Sequence, residues 1–171
     1  MFELVYQLAA MYENGMIQLL YIAKPVIPMS RSIDRISDEN IVRLFEGRNF
    51  AFLATVRKDG SPQVTPTWID RDNDTILINT AKGRVKQKNV SRDPRVSISL
   101  VDDQNPYSMV TISGKVTEQT SQGADEHIDK LARRYLNADK YPSHSPDIER
   151  VILKIKPEKI FFVPPRYQQY L

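Results

Sequence analysis

Residues 49–80, NFAFLATVRKDGSPQVTPTWIDRDNDTILINT, alternate between runs rich in strand-forming residues and short clusters of turn formers. Asn49 to Val56 is apolar on both faces and is expected as a buried strand. Lys58-Asp59-Gly60-Ser61 is a turn, and Gln63 to Ile69 makes the second strand of a hairpin. Asp70 to Asp74 is a polar turn leading to a third strand, Thr75 to Thr80. Downstream, Gly83 to Val90 is expected as a short basic helix closed by Arg92-Asp93-Pro94, since proline disfavours helix in the residue before it. Arg95 to Val101 and Tyr107 to Glu118 are two further strands joined by the loop DDQNP.

Within residues 123–137, Ile128, Leu131, Ala132, Tyr135 and Leu136 recur at the spacing of one helix face, which marks an amphipathic helix. Arg150 to Ile155 and Lys159 to Val163 are expected as separate last strands, divided by Pro157-Glu158. Upstream, Ser37 with Asn40 three residues later, then Ile41, Val42, Leu44 and Phe45, reads as a capped short helix ending near Gly47. About seven strands joined mostly as hairpins, with three or four helices, describe a mainly β (α+β) fold. The expectation is a β-barrel with peripheral helices, not an alternating βαβ sheet.

The chain has 171 residues, 41% hydrophobic and 26% charged, close to globular averages and enough for one domain with a proper core. With no cysteine, disulfides, thiolate metal sites and thiol nucleophiles are excluded, and with only two histidines, His127 and His144, so is a His-rich metal site within one subunit. The chain reads as a cytoplasmic protein. Its net charge of +3 is too small for wholesale nucleic-acid affinity. Yet Lys82, Arg84, Lys86, Lys88 and Arg92 form a concentrated basic spot without one intervening acid, which suits a small anion better than a polyanion.

Residues 2–22, FELVYQLAAMYENGMIQLLYI, are apolar-rich but broken by Glu3, Gln7, Glu13, Asn14 and Gln18. Too many polar residues sit at the centre for a membrane span, and the basic start and cleavage site of a signal peptide are missing. Leu4, Leu8, Met11 and Tyr12 along one stripe suggest a docking helix that breaks near Gly15. The alternatives are a loosely attached extension ahead of a start at Met29, or a membrane-associating segment. The expected division is therefore a helical extension and Pro-punctuated linker over residues 1–30 and a barrel domain over residues 31–171.

No dinucleotide fingerprint, phosphate loop, nucleophile elbow or zinc-protease motif is present in the sequence. His127 is expected to be solvated or satisfied within its helix, and His144 to be exposed in a loop. The aspartates at 70, 72, 74, 102 and 103 fall in turns, where their side chains bond locally. With no acid–base or nucleophilic set of its own, an enzyme of this sequence would draw its chemistry from a bound cofactor. No catalytic side chain and no metal ligand is assigned.

The segment Thr80-Ala-Lys82-Gly-Arg84-Val-Lys86-Gln-Lys88-Asn89 leaves a strand and enters a helix. Gly83 lets the backbone turn, the first-turn N–H groups are unpaired, and the helix dipole favours an anion there. Arg84 can grip a phosphate bidentately, Lys82 and Lys86 supply point charges, and Thr80 and Asn89 can complete the hydrogen bonding. Taken alone, the same residues also describe a solvated basic face or a weak nucleic-acid contact.

The blocks AFLATVRKDGSPQVTPTWID, LINTAKGRVKQKNVSRDPRVSISLVD and NPYSMVTISGKVT, followed by ARRYLNADKYP and VILKIKPEKIFFVPP, resemble the pyridoxamine 5′-phosphate oxidase-like split β-barrel family over about residues 37–165. Within it, Lys-Gly-Arg-x-Lys-x-x-Asn, Arg-Asp-Pro-Arg-Val and Tyr-Leu-x-x-Asp-Lys-Tyr-Pro resemble the F420-binding flavin/deazaflavin oxidoreductase branch. The resemblance implies an FMN-binding-like split barrel, a homodimer, and cofactor sites at the interface between the two barrels. It implies that Arg84, Lys86 and Asn89 hold the cofactor phosphate, with Lys82 and Thr80 nearby. Gln63, Val64, Thr65 and Pro66 would run along the tricyclic ring, Asn79 would end the adjoining strand, and Tyr107 and Met109 would approach the ring from the partner subunit. Trp68 is expected in core or dimer packing. The implied activity is F420H2-dependent hydride transfer to a small-molecule acceptor. The alternatives are an FMN-binding oxidase or flavin reductase of the same fold, or a non-catalytic cofactor-binding protein.

Overall fold

The computed structural model describes residues 4–13, 16–25, 31–33 and 35–164. Its main body is an eight-stranded antiparallel sheet with three helices packed around it. The sheet runs β5 (Pro62–Thr67), β4 (Ala51–Val56), β8 (Arg95–Val101), β9 (Met109–Thr120), β10 (Arg150–Val163), β7 (Thr75–Ala81) and β6 (Asp70–Asp72). A short β3 (Arg31–Ile33) adds to β10 beside this path. No helix among the described residues is long and apolar enough to cross a membrane.

The hairpin expected at residues 58–61 forms because Asp59 Oδ1 accepts from both the Ser61 backbone N–H and the Ser61 hydroxyl, while Gly60 takes φ +85°. β4 departs from its reading as a strand buried on both faces. Ala51, Leu53 and Thr55 point into the core, whereas Phe52 on the opposite face is 43% exposed. Apolar character on both faces cannot show which one a sheet turns inward, because that is set by where the helices pack.

The first helix, α1 (Glu39–Glu46), is capped by Asp38 rather than Ser37: Asp38 Oδ1 accepts from the Asn40 N–H at 3.0 Å. Ile41, Leu44 and Phe45 are its buried face. α2 (Val85–Arg92) follows Gly83, which sits at φ +81°, a conformation open to glycine without steric cost. α3 (Ala124–Leu136) buries Ile128, Leu131, Ala132 and Tyr135 as its periodicity predicts, while Leu136 lies exposed at the end of the stripe.

The two strands expected around Pro157 are one, β10. Its pairing with β9 slips between Lys154 and Ile155 and again between Pro157 and Lys159, and Pro157 faces Gly114. An interior proline breaks a ladder unless a bulge removes the need for its N–H, which is the case here. The core between the sheet faces is built from Leu53, Ile76, Ile78, Ile98, Leu100, Ile112, Leu153 and Ile155, all completely buried, each contributing about 1.5–3 kcal/mol by leaving water.

Residues 4–13 and 16–25 are not helical. β1 (Leu4–Glu13) and β2 (Met16–Pro25) pair antiparallel from Leu4↔Pro25 to Glu13↔Met16. The stripe Leu4, Leu8, Met11 and Tyr12 fits a 3.6-residue period, but Leu4, Tyr6 and Leu8 fit a period of two equally well. Asn14-Gly15 between the runs is the stronger signal, a dipeptide favoured by two-residue hairpins. Of the Pro-punctuated linker expected at KPVIPMSRS, residues 24–32, Lys24 and Pro25 end β2 and Arg31 and Ser32 belong to β3, while residues 26–30 lie outside the described residues.

Candidate functional site

β7 and β10 carry the site between them. Their register sets Asn79 opposite Ile152, Thr80 opposite Val151 and Ala81 opposite Arg150, beside the entry into α2. A cleft of about 170 Å³ opens there, lined by Thr80, Arg84, Lys86 and Arg150 and by Pro66, Trp68, Ile128 and Tyr141. Its lining is thus part cationic and part aromatic and apolar.

The cationic part of the lining lacks carboxylates. Lys86 is only 9% exposed and makes no hydrogen bond or ion pair with a described residue. Burial pushes its ammonium below the ordinary lysine range, and repulsion from Arg84 and Arg150 adds to this. Thr80 is 3% exposed, and its Oγ1 has no hydrogen-bond partner among the described residues. Arg84 stands at the N-cap of α2, where no side chain caps the first turn. A buried hydroxyl without a partner and a buried ammonium without a counter-charge fit a phosphate, which brings acceptor oxygens and negative charge to both.

The aromatic part of the lining is packed ring against ring. Trp68 stacks on Tyr135 with centroids 5.1 Å apart and planes 9° apart, and Tyr141 meets the Trp68 ring edge-on at 5.8 Å. The Tyr135 hydroxyl donates to the Asn49 carbonyl at 2.8 Å and accepts from the Ile69 N–H. Trp68 is therefore both a packing residue, as expected, and a wall of the cleft.

Beneath this wall lies Asp70, 3% exposed, bonded by Arg134 Nη2 at 2.9 Å and Lys130 Nζ at 2.5 Å. His127 Nε2 approaches the same carboxylate to 3.4 Å without hydrogen-bond alignment. Burial alone would raise the Asp70 carboxyl, but His127, Lys130 and Arg134 outweigh it and hold the group well below the ordinary carboxylate range. His127 is thus buried, its Nδ1 facing Asn79 Nδ2 at 3.3 Å and its Nε2 beside the Asp70 carboxylate without a hydrogen bond. His144 Nε2 meets Asp129 Oδ1 at 2.9 Å at the surface, where the same oxygen accepts the Tyr141 N–H.

Of the residues singled out by sequence, the structure brings Pro66, Asn79, Thr80, Arg84 and Lys86 to this cleft. Gln63, Val64 and Thr65 continue along β5 next to Pro66. Asn89 is 5% exposed and donates to Thr55 Oγ1 at 2.9 Å, and that hydroxyl donates in turn to Gln63 Oε1. These residues form a network beside the cleft rather than its lining. Lys82 pairs with Glu149 at 2.8 Å on the surface. Met109 opens β9, pairing with Val163 at the end of β10 away from Arg150, and Tyr107 lies two residues before it. Within one chain they stand apart from the cleft.

Arg150 and Tyr141 were missed. Tyr141 belongs to the Tyr-Leu-x-x-Asp-Lys-Tyr-Pro block, so a signal for it existed. Arg150 opens an ordinary apolar strand, and nothing local distinguishes a buried arginine from a solvated one.

The solved structure of an F420 reductase superposes on this chain with a TM-score of 0.63 and 29% identity, covering 69% of this chain and 93% of that one. General stress protein 26 of Bacillus anthracis superposes with a TM-score of 0.55 at 19% identity over 75% and 94% of the two chains. HupZ of Group A Streptococcus does so at 0.52 and 21% over 70% and 88%. The last two speak for the split-barrel fold alone. Over about 70–75% of its length the chain thus shares its fold with solved proteins. The family model described as pyridoxamine 5′-phosphate oxidase matches residues 37–164, from the approach to α1 through the end of β10, and the chain belongs to that family.

Proposed function

We propose that this protein binds coenzyme F420 and uses its reduced form to reduce a small-molecule acceptor, as a cytoplasmic homodimer with cofactor sites between the barrels. The observation that carries the reading is that one cleft without a lining carboxylate holds both buried Lys86 and the Thr80 hydroxyl, which has no hydrogen-bond partner among the described residues. Likeness to an F420 reductase at 29% identity supports the choice of deazaflavin.

In this reading Arg84, Lys86 and Thr80 hold the phosphate, Lys82 adds positive charge from the surface, and Asn89 supports the neighbouring strand through Thr55 and Gln63. Gln63, Val64, Thr65 and Pro66 lie along the ring, with Asn79 at its edge and Tyr107 and Met109 reaching in from the partner subunit. Bound in reduced form, a deazaflavin supplies a hydride. The chain contributes orientation and a dry apolar wall of Trp68, Tyr141 and Ile128 rather than a bond-making side chain.

A second reading, FMN as the cofactor, is favoured by the same cationic lining, which would serve a flavin phosphate equally, and by the family itself. Titration of the purified protein with F420 and with FMN, followed by ligand fluorescence, separates the two. Micromolar or tighter F420 binding with much weaker FMN binding is expected. Preference for FMN transfers the reading to a flavin oxidase or reductase, and binding of neither overturns both.

A further inference from the structure

Arg150 is 8% exposed and has no carboxylate within ion-pair distance among the described residues. A buried guanidinium without an anion is costly, and chains keep one where it meets negative charge. Its partner is neutral: Asn79 Oδ1 accepts from Arg150 Nε at 2.8 Å and from Nη2 at 2.5 Å. The Tyr141 ring lies beneath the guanidinium, 5.2 Å from centroid to Cζ.

Asn79 has no freedom to turn. Its Nδ2 donates to the Ala124 carbonyl at 2.7 Å and faces His127 Nδ1 at 3.3 Å. Arginine has only donors, so the amide must present its oxygen to Arg150 and its nitrogen to α3. An aspartate in its place would grip Arg150 as firmly but cancel the charge. An asparagine grips it and leaves the charge intact toward the cleft, where Arg84 and Lys86 already converge.

We propose that Arg150 is a phosphate-binding residue of this cleft and that Asn79 is the positioning residue that holds its guanidinium there. The proposal rests on the anion-site reading above and changes the role of Asn79 from ring contact to support of Arg150.

The test is a titration of the full chain with inorganic phosphate, followed by 31P NMR, with thermal midpoints recorded for each variant. Arg150→Gln is expected to weaken phosphate about tenfold or more. Asn79→Ala should weaken it by a smaller factor, and the double variant should bind no worse than Arg150→Gln alone, because Asn79 acts through Arg150. Asn79→Asp cancels the charge but also sets an oxygen against the Ala124 carbonyl, so both its affinity and its thermal midpoint should fall, and the double variant is the readout that a merely structural role of Asn79 would not move. If Arg150→Gln does not fold, Arg150→Lys replaces it, with a loss of roughly threefold or more for want of the guanidinium fork. Unchanged affinity in the Arg150 variant, or losses that add in the double variant, overturns the proposal. Arg84→Ala separates the two levels. If it weakens phosphate while the Arg150 variant does not, only the Arg150 assignment falls, and if wild-type protein binds no phosphate, the anion site falls with it.

Discussion

Arg134 reaches from α3 to Asp70 on β6, Nη2 to Oδ1 at 2.9 Å, while its Nη1 donates to the carbonyls of Phe45 and Ile69. One guanidinium thereby ties α3 to α1, to β6 and to the segment that carries Trp68. The helix forming one wall of the cleft is held by a buried carboxylate, not by apolar packing alone.

Asp70→Asn should therefore destabilise the fold by about 2–3 kcal/mol at neutral pH, less than for a fully buried pair because Lys130 and Arg134 can rehydrate. The native carboxyl lies below its ordinary value of 3.8, so its contribution is complete above that pH and is lost on acidification as the native carboxylate takes up a proton. Urea unfolding of the two proteins from pH 7 down to pH 3 should show their difference shrinking toward the acid end. A difference that grew on acidification would contradict the assignment.

Arg84 stands at the opening of α2, and its removal leaves the fold untouched while taking away a charge-assisted contact. Arg84→Ala should lower cofactor affinity about 10- to 100-fold, the equivalent of about 1.5–3 kcal/mol. An unchanged dissociation constant by fluorescence titration would reject the phosphate assignment.

The outer face of the first hairpin is apolar. Phe52 and Val64 are 43% and 59% exposed, and the register sets Phe52 beside Pro66 and Ala54 beside Val64. Such a face suits burial against a second copy. Light scattering at micromolar concentration should give twice the 19.7 kDa chain mass, and Phe52→Glu should shift the protein toward the monomer. A monomeric wild-type protein would remove the interface from the functional reading.

Gly114 faces the bulge in β10, where an added Cβ would fall 2.5 Å from the Lys156 carbonyl oxygen. Backbone on the other side cannot rotate away as a flexible side chain would. Gly114→Ala should cost about 1–3 kcal/mol in chemical denaturation, with cofactor affinity intact in the folded fraction.

What the sequence determined by itself rests on short-range chemistry. The Asp59-Gly60 turn, the glycine entry into α2 and the apolar stripe of α3 are set by neighbours within about four residues, and each lies where those rules place it. The same rules brought Thr80, Arg84 and Lys86 onto one strand-to-helix junction, so all of the cationic lining but Arg150 was legible. They could not decide between periods of two and 3.6 in residues 4–13, nor see that the β9 backbone at Gly114 would admit Pro157 inside a strand. Only the tertiary structure brought Arg150 to Asn79, 71 positions away, and Asp70 to Arg134, 64 positions away. The reason is physical. A buried charge takes its meaning from whatever packing delivers to it, and that partner is chosen by the order of strands in the sheet rather than by nearby residues.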